Sequence, residues 1–329
     1  MSEYTTIPRG IESDTTAKDQ CRLSNSGISS QKSPSAEKTD TESKPENPPY
    51  YHQVTHESWP GVVASVDMIR QNLSLRSNRS AWLIEHLDTV MSDGVDFYTA
   101  NRVGKYQSMW TFKFGDETAT VGVGLVGLNN VDMTKGFFEF NPNKLGDVRE
   151  FYGIRRVLDE AGARFSTARF DMAFDLPGER KLYQLVKDRR KYEYHNGGAV
   201  SEYLGCRNRI GRVKLYDKSA ESGLSVPLTR LEITVGEFDT ALKAWPHLVG
   251  LETIQHMTSS GKALVKALGR LAELGDPVEP YLEMLDKQTK SRYMRQLKKG
   301  FQEFPLFLVC ELYKQVSNWN DNGFLRPND

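Results

Sequence analysis

Three stretches of this chain alternate strictly between apolar and polar side chains, and that alternation constrains the fold more than any other feature. In ARFDMAFD (168–175), Arg169, Asp171, Ala173 and Asp175 share one parity, while Phe170, Met172 and Phe174 share the other. In RVKLYDK (212–218), Lys214, Tyr216 and Lys218 oppose Val213 and Leu215. In TRLEIT (229–234), Arg230, Glu232 and Thr234 oppose Leu231 and Ile233. Successive side chains of a strand point to opposite faces, so a period of two demands a sheet with one apolar and one polar face. Sheets with one wet face are antiparallel. A fourth stretch, FFEFNPNK (137–144), sets Glu139 between Phe138 and Phe140 in the same manner.

Further strands are expected at 62–68 and 201–205, and at 106–114 and 118–126 as a hairpin about the GDE turn. Helical spacing appears at 80–91, at 146–161 (through Phe151, Ile154, Val157 and Leu158) and at 181–191, a basic helix. After Gly236 the pattern turns helical, at 238–245, 260–273, 280–284, 290–299 and 304–319. The sequence therefore predicts an α+β chain with a mainly antiparallel central sheet, flanking helices and a helical C-terminal region. Residues 1–50 are rich in Ser, Thr, Glu, Lys and Pro. Such a segment buries too little apolar surface to offset its ordering entropy, so 1–55 is expected to be a disordered tail. Residues 56–236 then form the α+β domain and 237–329 the helical region. No repeat is visible at solenoid period, and a duplicated strand–helix–strand core is not demonstrable from the sequence.

Formal net charge is zero, so any affinity for nucleic acid must come from local clusters of Lys and Arg. No stretch approaches the roughly 20 apolar residues of a membrane span, and no N-terminal apolar run reads as a signal peptide. The expectation is a cytoplasmic protein without a membrane partner. Cys21, Cys206 and Cys310 are too widely spaced for a disulfide framework or a metal-ligand pair. His195, His247 and His256 are isolated and are assigned no role. Gly122 and Gly124 in VGVGL are not followed by a helix-opening glycine, which argues against a phosphate loop, and no P-loop occurs.

If the alternating strands are neighbours, Asp171, Asp175, Glu232 and Glu139 surround Tyr216 on one face. Carboxylates without His or Cys make a hard-oxygen site suited to Mg²⁺ or Mn²⁺. Such a cation polarises a phosphate oxygen. A phenol, with its ordinary pKa of about 10, needs help to act as a nucleophile at neutral pH, and Lys214 and Lys218 are expected to favour the phenolate. In-line attack on a phosphodiester would leave a free 3′-hydroxyl and a 5′-phosphotyrosyl bond, conserving the bond energy for later rejoining. The bland alternative is a solvated sheet face, on which such alternation is ordinary and a strand tyrosine serves packing.

The series FEFNPNK (138–144), RFDMAFD (169–175), EYLGCR (202–207), VKLYDKSAE (213–221) and TRLEI (229–233) resembles the trans-acting replication initiators of rolling-circle plasmids and filamentous phages, over about 62–235. The resemblance implies a fold distantly related to that of the nicking enzymes, with Tyr216 as nucleophile and Lys218 as a stabiliser of the phenolate or transition state. It implies Asp171 as the first metal ligand, then Glu232 and Glu139, with Asp175 as a fourth. The six histidines form no H-x-H pair, so the metal motif of the His-hydrophobic-His enzymes is absent.

For DNA, Arg207 and Lys214 flank the site, and two basic clusters lie elsewhere. RKLYQLVKDRRKY (180–192), with Arg189 and Arg190, has six basic residues against one acid. TKSRYMRQLKK (289–299), with Arg292, Arg295 and Lys298, has five and none. Phosphate contacts of this kind give salt-sensitive affinity; a solvated helix face is the ordinary alternative. The expected partners are origin DNA, duplex and single-stranded, a host helicase and polymerase, and a second copy of the chain, with the C-terminal region serving origin binding or dimerisation. Two other readings remain open: a non-catalytic origin or single-strand binder with Tyr216 as a stacking surface, and a conjugative relaxase.

Overall fold

A computed structural model of the chain describes residues 54–89, 97–103, 105–145, 149–197, 199–259 and 263–321. The three alternating stretches fall on adjacent strands: β7 (Arg164–Pro177), β12 (Leu228–Val235) and β11 (Val213–Asp217). Around them run β1 (Val54–His56), β2 (Trp59–Ser74), β3 (Phe97–Val103), β4 (Tyr106–Phe114), β5 (Glu117–Val126), β6 (Val131–Phe140), β9 (Tyr192–Asn196) and β10 (Val200–Leu204). The order is β3-β4-β5-β6-β2-β7-β12-β11-β10-β9, with β1 also on β2, and every pair is antiparallel. A small second sheet pairs β8 (Tyr183–Val186) with β13 (His247–Gly250).

This order contains a duplication that the sequence did not disclose. In each half a long strand (β2 or β7) is followed by a four-stranded meander, and the last strand of the meander returns to pair with the long one. The halves join through the β2–β7 pairing. β6 thus corresponds to β12 and β5 to β11. Glu139, between two phenylalanines, matches Glu232, between Leu231 and Ile233; Thr120 faces Glu139 as Lys214 faces Glu232. The counterpart of Tyr216, which faces Arg230, is Gly122, which faces Phe137. A Cβ at Gly122 would overlap the Phe137 ring, so the glycine admits that side chain and forms no phosphate loop.

The apolar parity of the strands faces helices. Phe138 and Phe140 meet Phe151 of α3 (Arg149–Glu160) with ring centroids 5.8 and 5.0 Å apart. Leu83 and Leu87 of α1 (Ser80–Thr89) are fully buried in the same core. Phe170 meets Tyr313 of α10 (Leu306–Asp321), and Phe174 packs edge-on against Trp245. Burying each such ring contributes about 1.5–3 kcal/mol. A second apolar cluster joins Val186 and Val249 to Ile254 of α6 (Leu251–Ser259), Leu268 of α7 (Ala263–Glu273), Leu282 of α8 (Glu279–Leu282) and Leu297 of α9 (Lys287–Leu297). The change at Gly236 is one of secondary structure; packing runs across it, because Leu308, Leu312 and Val316 belong to the sheet's core.

Most expected elements are present, some with longer strands. The basic helix at 181–191 is not: a 3₁₀ turn (Arg180–Leu182) leads into β8. Burial decides this, since Gln184, Leu185 and Val186 are enclosed against β13 and Arg180 is buried against Glu202. The expected tail up to residue 53 lies outside the described residues, as do the ends of three expected helices at 90–91, 146–148 and 260–262. Among the described residues, no helix is long and apolar enough to cross a membrane.

Candidate active site

The polar face of β7, β12 and β11 carries the site. Arg230, Glu232 and Thr234 of β12 stand opposite Asp175, Ala173 and Asp171 of β7. On the other side of β12, Lys214 and Tyr216 stand opposite Glu232 and Arg230. Tyr216 Oη donates to Glu232 Oε1 at 2.5 Å, and the Lys214 ammonium donates to Glu232 Oε2. Both oxygens of a carboxylate only 5 % exposed are thus engaged by the neighbouring strand. Lys214 stands directly across from Glu232 and Tyr216 diagonally to it, which is why strand alternation alone brings the three together.

Burial pushes the Tyr216 phenol well above the usual tyrosine range, and the negative charge of Glu232 and the hydrogen bond to it push the same way. Lys214 loses stability as an ammonium through burial, but Glu232 more than offsets this and leaves its pKa raised. Asp171 is also raised: burial outweighs a hydrogen bond from Thr234 and the charge of Lys214. The expected activation of the phenol by two flanking lysines is therefore corrected. Lys214 is committed to Glu232. Strand β11 ends at Asp217, whose carboxylate caps α4 (Lys218–Ser222) by accepting from Ala220 N at 2.8 Å, so Lys218 leaves the strand and pairs with Glu221 at 2.6 Å.

The four acids expected to surround the tyrosine divide into three groups. Asp171 and Glu232 lie on adjacent strands of the tyrosine's face. Asp175 is gripped by Arg230 in a two-point fork, Nε to Oδ1 at 2.6 Å and Nη2 to Oδ2 at 2.7 Å. Glu139 sits on β6, three strand spacings from β12 and so roughly 14 Å away, where Arg70 and Arg169 hold it at 3.0 and 3.3 Å. Among the described residues no three His, Cys, Asp or Glu side chains gather as a metal-binding group. The pair Asp171 and Glu232 fits a hard divalent cation in its donor chemistry, since the two offer carboxylate oxygens from adjacent strands on one face. A cation on Glu232 would compete with the Lys214 ammonium.

Asp67, which the sequence did not single out, occupies the bulge of β2 between Val66 and Met68. Bulges of this kind re-aim side chains. Its carboxylate lies 3.6 Å from Arg230 and accepts from Asn141 Nδ2 at 3.2 Å, while Asn141 Oδ1 accepts from Asn143 N at 2.9 Å. The N-P-N turn after β6 therefore braces the far side of the arginine fork.

A cleft of about 910 Å³ opens over Asp171, Lys214, Tyr216 and Thr234. Arg169, Arg207, Arg212, His195 and Tyr203 are among its other walls. Its rim is the β10–β11 connection, which turns through Gly205, Asn208 and Gly211 at positive φ of 83°, 60° and 86°. Arg169 Nη1 pins it by donating to Asn208 O at 2.8 Å. Arg207 is exposed on this rim. Arg190, expected to bind DNA, is instead a brace: it forks onto Asp188 and donates to Gly211 O and Ala244 O, both at 2.8 Å. Arg189 is exposed, as are Arg292, Arg295 and Lys298 on α9 and its 3₁₀ extension, and none of the four lines the cleft. Tyr203 and Arg212 were not singled out by the sequence reading and His195 was given no role, because no motif chemistry attaches to them; Tyr203 lies on β10 beside β11, His195 on β9 beyond it and Arg212 just before β11.

No known family matches the sequence, and no curated protein does. Among solved structures, the chain is similar to a rolling circle replication initiator protein from Geobacillus stearothermophilus at 13 % identity and a TM-score of 0.33, over 56 % of this chain and 78 % of that one.

Proposed function

We propose that this chain is a DNA nicking and strand-transfer protein that initiates rolling-circle replication, with Tyr216 as nucleophile and Glu232 as the base that receives its proton. One observation carries the reading: the phenol of Tyr216 already donates to a buried carboxylate at 2.5 Å beside a cleft walled by Arg169, Arg207, Arg212 and Lys214. A general base must reach the proton it removes, and this one does. As Oη attacks phosphorus, its proton passes to Glu232 and the bond to the 3′-oxygen breaks; the departing 3′-oxygen takes a proton from water, leaving a 3′-hydroxyl and a 5′-phosphotyrosyl link. Lys214 balances the charge of Glu232 before the transfer and is released toward the phosphate as Glu232 becomes neutral. A divalent cation would be held by Asp171, and by Glu232 only in place of the Lys214 ammonium, and would neutralise charge on a non-bridging phosphate oxygen. Origin DNA, a host helicase and polymerase, and a second copy of the chain are the partners this reading requires.

One observation favours binding without cleavage: burial and Glu232 keep the phenol protonated. Supercoiled plasmid carrying the DNA that surrounds the gene, incubated with the protein and Mg²⁺ or Mn²⁺, separates the two. Nicked circles that vanish with Tyr216→Phe support the enzyme. Retarded but uncut plasmid, or undiminished nicking by Tyr216→Phe, refutes it.

A further inference from the structure

Tyr203 of β10 stands directly across from Lys214 and is therefore diagonal to Tyr216, a placement that separates such residues by about 7–8 Å. It is half-buried in the wall of the cleft that Tyr216 lines. Two neighbours fix its ring. The Arg212 guanidinium carbon lies 4.6 Å from the ring centroid, and the His195 ring meets it edge-on, 5.3 Å away at 74°. Arg212 is itself tied down, donating to Gly205 O at 2.6 Å and lying 3.9 Å from Glu193. A flat, immobilised aromatic surface thus stands among charged groups, one strand from the nucleophile. Phosphate recognition by Arg207 or Lys214 needs no such surface, whereas a nucleobase does: every base offers a π-face, and only an unpaired base has that face free.

We propose that Tyr203 is a positioning residue, a platform on which the unpaired base beside the scissile phosphate stacks so that the phosphate meets Tyr216; this rests on the nicking reading above. The test uses the full chain and short oligothymidylates carrying a single 2-aminopurine, whose fluorescence falls on stacking, moved one position at a time without added metal. Wild-type protein is expected to quench the probe at one or two adjacent positions. Tyr203→Phe retains this quenching. Tyr203→Leu loses it and weakens binding roughly five- to a hundred-fold, with the salt dependence of binding unchanged because the phosphate contacts remain. Quenching absent from the wild type, preserved in Tyr203→Leu or lost equally in Tyr203→Phe overturns the platform, and so does a changed salt dependence in Tyr203→Leu. Quenching requires no cleavage, so a protein that shows it without nicking refutes the nicking reading and not the contact. A protein that nicks with Tyr203-independent quenching refutes the platform alone.

Discussion

At the scale of single residues, the proposed chemistry turns on Glu232, which accepts from both Tyr216 and Lys214. Replacing it by glutamine removes the proton acceptor and leaves the phenol in place, so nicking by Glu232→Gln should fall about 10²- to 10⁴-fold in a single-turnover assay. Asp171 allows a test on stability. Its folded-state pKa is raised by burial, so the stability it contributes is present while it is protonated and is lost as pH rises through the folded value. Asp171→Asn should therefore melt at a higher temperature than wild type at neutral pH without metal, with the gap closing as pH falls toward about 4. A variant less stable than wild type at pH 7 would contradict a net penalty on the charged carboxylate. The grouping of Tyr216, Glu232 and Asp171 on one face was legible because a period of two leaves no freedom about which face a strand residue takes. What Lys214 and Lys218 do was not legible. One depends on a cross-strand partner and the other on the strand ending at Asp217.

At the scale of elements, the Arg230 fork ties β12 to β7 and, through Asp67, to the bulge of β2. Removing one partner of such a buried network leaves charge uncompensated, so Arg230→Met should cost about 3–5 kcal/mol in urea denaturation. The first half has its own weak point. A Cβ on Gly136 would overlap the carbonyl oxygen of Gly122, a backbone atom that cannot move aside without bending β5 from β6. Gly136→Ala should cost about 1–3 kcal/mol or more. Strands with clean alternation, such as β7 and β12, announced themselves. Strand β9 did not: Tyr192, Glu193, Tyr194 and His195 give no apolar parity, because an edge strand beside a cleft has little to bury. The segment 181–191 misled for the opposite reason. Its basic residues suggested one solvated helix, but Arg180 and Arg190 are consumed in internal contacts and Leu185 and Val186 are buried in the small sheet.

At the scale of the molecule, two similar halves share one sheet and only the second carries the tyrosine site. The duplication is hidden in the sequence because corresponding positions differ at the tyrosine site: Gly122 for Tyr216, Thr120 for Lys214, Phe137 for Arg230. Only the glutamate persists, and at Glu139 arginines neutralise it. The C-terminal helices add a pH dependence of their own. Burial raises Glu279 to about 7 from an ordinary 4.5, so the stability tied to its protonated form is complete below about pH 4.5 and lost as pH rises through 7. Wild-type protein should lose stability between pH 5 and 8 by an amount that Glu279→Gln abolishes, as followed by thermal melting across that range. The proposed reaction joins the Tyr216 Oη covalently to DNA. Protein incubated with a labelled oligonucleotide from its own origin, digested and mapped by mass spectrometry, should yield a single nucleotide-bearing peptide with the modification on Tyr216. An adduct on any other residue, or strand cleavage with no adduct at all, would contradict it.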